Sequence, residues 1–118
     1  MKIYEIKKSK FISYLLDINN KEEAKNILDS LWAEHKKARH IVYAYICQDN
    51  DGNKINGFSD DREPKGVAGL PIYLYLEKKN LINKGIFIVR YFGGIKLGKS
   101  GLLRAYLNSA KLLFDEKK

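Results

Sequence analysis

With one cysteine, Cys47, the chain can form no internal disulfide, and with only two histidines, His35 and His40, it offers no zinc ligand set. Cys47 therefore reads as a small apolar residue facing a core. Prolines are also scarce: Pro64 and Pro71 are the two present, and no linker or internal repeat divides the sequence. No apolar run approaches the ~20 residues that cross a bilayer. Lys2, Lys7, Lys8 and Lys10 occupy the start without the apolar block of a signal peptide. The expectation is a cytoplasmic protein with no membrane partner. Acidic residues are missing from one stretch in particular. Between Lys84 and Lys111 there is no Asp or Glu, while Arg90, Lys96, Lys99 and Arg104 add to the two end lysines.

What is present suits one globular domain. The 118 residues are 45% apolar and 12% aromatic, enough for a domain that buries about two-thirds of its unfolded surface. The net charge of +8 favours nucleic acid, an acidic protein or a phosphorylated small molecule, although lysine-rich surfaces also serve solubility.

Patterning places the elements. Residues 2–8 and 11–16 read as two strands around a polar Lys7–Lys10 turn. Asn20 and Glu23 form a capping-box pattern ahead of Ala24, Ile27, Leu28, Leu31 and Trp32 at helical spacing. Residues 41–47 alternate around Tyr43 and Tyr45, which predicts a strand in a sheet open on one side. Asp49–Asn53 reads as a hairpin turn into a short strand at 55–59, and 58–69 as a polar loop. The apolar run 70–76 reads as a helix with Pro71 in its first turn. Ile86–Tyr91 reads as a strand buried on both faces, followed by a helix from about Ser100 with Leu102, Tyr106, Ala110 and Leu113 on one stripe.

Two readings compete for the segment Arg90-Tyr91-Phe92-Gly93-Gly94-Ile95-Lys96-Leu97-Gly98-Lys99-Ser100. Gly93, four residues, then Gly98-Lys99-Ser100 satisfies the phosphate-loop spacing, in which backbone N–H groups cradle phosphates. The second reading is a family resemblance. Lys8-Ser9-Lys10-Phe11-Ile12, Ala38-Arg39-His40, Ser59-Asp60-Asp61-Arg62-Glu63-Pro64, Gly66-Val67-Ala68-Gly69-Leu70-Pro71 and Arg90-Tyr91-Phe92-Gly93-Gly94 with Leu97-Gly98 resemble, in order and spacing, the N-terminal domain of the IMPACT/YigZ family.

That resemblance implies an α/β, two-layer fold of the ribosomal-protein and translocase-factor superfamily, with a four-stranded sheet and helices on one face. Residues 1–118 would form a single such domain, without the small ferredoxin-like second domain usual in bacterial members. It also implies a non-catalytic role: nucleic-acid binding in bacterial members, and in eukaryotic ones regulation of translation through a partner of the starvation-sensing kinase. The chain departs from the family pattern where Arg62, Lys65 and Val67 replace glycine, serine and threonine.

The resulting expectation is a binding or regulatory protein whose partner is RNA, the ribosome or a translation-linked protein. Lys10, Arg90, Lys96, Lys99 and Arg104 would contact phosphate or carboxylate, with Tyr91 as a stacking group and Gly93, Gly94 and Gly98 shaping the loop. No cofactor or metal is expected. One alternative is a phosphate-ligand or nucleotide-binding domain using Gly93–Ser100, although only 18 residues follow Ser100, too few for the remaining strands and Mg²⁺ ligand of a nucleotide hydrolase. Another is a hydrolase using Asp60, Asp61 and Glu63 as acid and base. The blander reading of these carboxylates is structural, with at least one pairing to Arg90 or Arg104. His40 reads as a hydrogen-bonded loop residue whose place in the motif leaves a binding role open.

Overall fold

The computed structural model describes residues 1–115. Its elements follow the expected order: β1 (Lys2–Ile6), β2 (Ser9–Asp17), α1 (Lys21–Glu34), β3 (His40–Gln48), β4 (Lys54–Ser59), α2 (Gly69–Lys78), β5 (Lys84–Tyr91) and α3 (Gly98–Leu112). The strands form one sheet in the order β1-β2-β5-β3-β4, with every neighbouring pair antiparallel. The sheet thus has five strands rather than four. Both hairpins, β1–β2 and β3–β4, contribute all their strands.

Period-2 alternation in β2, β3 and β5 decides where the helices pack. One face carries Phe11, Val42, Ala44, Ile46, Ile86 and Ile88 and is covered by Ile72 and Leu76 of α2 and by Leu102, Tyr106 and Ala110 of α3. Phe11 and Tyr106 meet edge to face at 5.0 Å between ring centroids, a favoured aromatic geometry. The other face carries Ile12, Ile41, Tyr45, Cys47, Phe87 and Val89 beneath Ala24 and Leu31 of α1. Helices therefore lie on both faces, not on one, and the sheet is not open beside Tyr43 and Tyr45. Those rings stack on each other, and Tyr43 stacks on Phe87, under α1. Cys47 is buried and its Sγ–H points to the Ile18 carbonyl at 3.3 Å. Among the described residues no helix is long and apolar enough to cross a membrane.

Local chemistry sets the helix starts. At α1 the Asn20 side chain accepts from the Glu23 N–H at 2.8 Å, and Glu23 accepts from the Asn19 N–H at 2.7 Å. This reciprocal cap is the one the sequence predicts, shifted by one residue on the return bond. α3 begins at Gly98, two residues before Ser100, and no side chain caps it.

Candidate anion-binding cleft

The cleft arises from strand register. Antiparallel pairing sets His40, at the start of β3, opposite Arg90, near the end of β5, and the Arg39 N–H bonds the Arg90 carbonyl at 2.8 Å. Residues about fifty positions apart in sequence thus share one end of the sheet. The loop after β5 then leads into α3, and the β4–α2 loop closes over the same end. Between them lies a cleft of about 300 Å³ lined by Arg39, His40, Glu63, Pro64, Arg90, Phe92, Lys96–Lys99 and Leu102.

Its floor is a buried polar network. Arg90 Nη1 donates to both Glu63 oxygens, at 2.9 and 2.7 Å, and the Tyr106 hydroxyl donates to Glu63 Oε2. Charge-assisted bonds of this kind are the strong ones, and the pair is nearly dry, with side chains 8% and 3% exposed. Burial first, and the Glu63 carboxylate second, push the Tyr106 hydroxyl well above its ordinary value, so it stays a neutral donor. His40 Nδ1–H donates to the Asp61 carbonyl at 2.7 Å, while its Nε2 lies 3.6 Å from Glu63.

All three candidate carboxylates are held by structural bonds. Asp60 accepts from the N–H groups of Gly66, Ala68 and Gly69 at 2.7–3.0 Å, and so caps α2 from a distance. Burial raises its pKa, but those three bonds and nearby Lys65 outweigh that and hold it below the ordinary carboxylate value. Asp61 accepts from the Ile41 N–H at 2.8 Å. Glu63 makes the expected contact with Arg90. These bonds favour the structural reading over the acid–base pair of a hydrolase.

The rim is basic. Lys96 and Lys99 line it, and Arg39 joins them with its guanidinium 5.0 Å from the Phe92 ring centroid. The first turn of α3 has no acidic residue and no side-chain cap, so the N–H groups of its first turn and the positive end of its dipole face outward beside these cations. Gly94 and Gly98 take φ of +95° and +75°, which favours glycine. Gly93 is needed for a different reason: a Cβ there would sit 2.1 Å from the Lys8 carbonyl.

Other predicted site residues lie elsewhere. Lys10 pairs across from Tyr91 on the α1 face, and the Tyr91 hydroxyl is bonded to His35 Nδ1 at 2.6 Å. Alternation sends Arg90 to the cleft and Tyr91 away from it. The aromatic ring in the cleft is that of Phe92, with Arg90 5.6 Å from its centroid. Arg104 is exposed on α3 and does not line the cleft. Sequence reading missed Arg39 and Phe92 as site residues. The Ala38-Arg39-His40 motif and the two-residue step from Arg90 to Phe92 were the signals available for them.

The phosphate-loop spacing is present, but its fold context is not. Here β5 is antiparallel to both neighbours, whereas that motif links a strand of a parallel sheet to a helix. No cluster of three or more metal-ligating side chains occurs among the described residues.

An antiparallel five-stranded sheet flanked by helices, with this glycine loop at one end, defines an α/β domain of a known class. Residues 7–114 match the Impact N-terminal domain, and the chain belongs to that family. It is 42% identical over 104 residues to the IMPACT family member YigZ of Escherichia coli strain K12, covering 88% of this chain and 51% of that protein. The chain spans about half the length of the curated relatives it matches. The crystal structure of a hypothetical protein superposes with a TM-score of 0.90 at 38% identity, over 98% of this chain and 56% of that one. The two-domain translational regulator Yih1 shares the fold, with a TM-score of 0.58 at 18% identity over 95% of this chain and 44% of its own.

Proposed function

We propose that this domain is a non-catalytic module serving the regulation of translation, and that it contacts RNA, free or in the ribosome, through the basic end of the sheet. The observation that carries the reading is the meeting of Arg39, Lys96 and Lys99 at the uncapped, acid-free start of α3. Helix N-termini flanked by cations suit phosphate groups. Yih1, of the same fold, is a translational regulator, and the link to translation is extended from it to this chain. Phosphate contacts position a nucleic acid without reading its sequence, so binding should be sequence-tolerant.

The test is fluorescence anisotropy with single-stranded RNA across a salt series. With one phosphate contact from each of the three rim cations, log K should fall against log salt with a slope of about −2 for single-stranded RNA. Replacing Arg39, Lys96 and Lys99 together by Ala should weaken binding and flatten the slope by about 2. Unchanged affinity and slope in the triple variant would place the RNA contact elsewhere. No binding even at low salt would favour an acidic protein partner instead.

A further inference from the structure

The cleft is better shaped for the end of a phosphorylated ligand than for a strand passing through it. Its floor, made by Glu63, Arg90 and Leu102, is buried, and its cations stand at the rim. A terminal group carries one substituent and can turn into the mouth of the cleft, among the rim cations and above the Glu63–Arg90 pair. An internal phosphodiester carries two and must lie across the top.

Charge points the same way. The Glu63 carboxylate is engaged by Arg90 and Tyr106. Among the described residues, no ion pair joins Arg39, Lys96 or Lys99 to a carboxylate. Three cations and a helix N-terminus without a counter-charge match a phosphate dianion better than a monoanionic diester. A second observation is independent of the helix. Arg90 lines the cleft with its guanidinium against Phe92, its side chain is 8% exposed, and its Nε–H is buried with no acceptor. The guanidinium groups of Arg39 and Arg90 lie 5.0 and 5.6 Å from the Phe92 ring centroid, so a base stacks on that ring by displacing the exposed Arg39 side chain. The volume of about 300 Å³ falls at the small end of small-molecule sites.

We propose that the cleft binds a terminal phosphate monoester carrying a base, the chemistry shared by a free nucleoside monophosphate and the 5′-phosphorylated end of an RNA. The RNA arm rests on the function proposed above, whereas the nucleotide arm does not. Anisotropy with one short, 3′-labelled RNA, bearing either a 5′-phosphate or a 5′-hydroxyl, tests the first. The phosphate should tighten binding about tenfold, as ~1.4 kcal/mol of added interaction would. Lys99→Ala should erase that preference, and Lys111→Ala, at the far end of α3, should keep it. Titration with AMP, adenosine and inorganic phosphate, followed by amide NMR, tests the second. AMP should shift the Gly98–Ser100 amides, while adenosine leaves them in place.

The outcomes separate the two readings. RNA bound equally with either end, together with no amide shift from AMP, would overturn the terminal-phosphate site and leave general RNA contact standing. Amide shifts from AMP in a protein that binds no RNA would support the cleft and remove the RNA reading. RNA binding stronger than that of AMP by tenfold or more, and dependent on the 5′-phosphate, would identify the RNA end as the ligand.

Discussion

At the scale of single residues, the β4–α2 loop shows how a departure from a family pattern becomes a conformational cost. Arg62 stands where the resembling family has glycine, and its φ is +65°. An L-residue in the left-handed region carries about 1–2 kcal/mol of steric strain that glycine escapes. Its side chain is 82% exposed and its one ion-pair contact, to Asp61, is long at 3.8 Å, so little is lost by removing it. Arg62→Gly should therefore stabilise the fold by about 0.5–1 kcal/mol, because the strain relieved exceeds the extra chain entropy that glycine brings to the unfolded state. Urea denaturation with an unchanged m-value is the check. A lower midpoint would show that the arginine side chain holds the loop in a way its exposure conceals. The departure itself was visible in the sequence, but its meaning was not, since a backbone angle cannot be read from a residue name.

At the scale of elements, the two capped helices differ in how visible their caps are. Asn20 and Glu23 lie within one turn of the start of α1, and a local pattern suffices to find them. α2 starts after Ala68, which has no side-chain acceptor, and depends on Asp60, eight residues upstream. That distance puts the cap beyond any local pattern, so the sequence reading could place Asp60 only among carboxylates of structural use. Asp60→Ala leaves three N–H groups without their acceptor and should destabilise by about 1–3 kcal/mol at neutral pH. The pH dependence has a definite sign. A carboxyl whose folded pKa lies below its ordinary value of 3.8 contributes stability above that value and loses it as pH falls through the folded one. The gap between wild type and variant should thus be full at neutral pH and close progressively below about pH 4. Thermal unfolding followed at several pH values measures it, and a gap that persists undiminished in strong acid would assign the loss to packing rather than to the charged cap.

At the scale of the molecule, element order was legible but adjacency was not. The sequence showed five strands and three helices in their correct order, and the apolar run in β5 announced burial on both faces. It did not show that β5 enters between β2 and β3, and that insertion makes the cleft by setting His40 against Arg90. A charge census along the chain could find Lys96 and Lys99, which are close in sequence, whereas Arg39 joins them only through this pairing. The same antiparallel insertion bears on nucleotide chemistry. A hydrolase of the phosphate-loop type holds Mg²⁺ between the loop hydroxyl and an acidic residue from a neighbouring strand. Here Asp60, Asp61 and Glu63 are committed to backbone N–H groups, Arg90 and Tyr106. Among the described residues Glu63 is the one carboxylate lining the cleft, and it is salt-bridged at the floor. ATP and GTP with Mg²⁺ should accordingly not be hydrolysed, even if a terminal phosphate reaches the rim. The measurement is phosphate release over a protein-free blank, with Lys99→Ala alongside. Release above the blank that disappears in that variant would mean that the loop performs phosphoryl chemistry on an antiparallel scaffold, and the non-catalytic reading would fall.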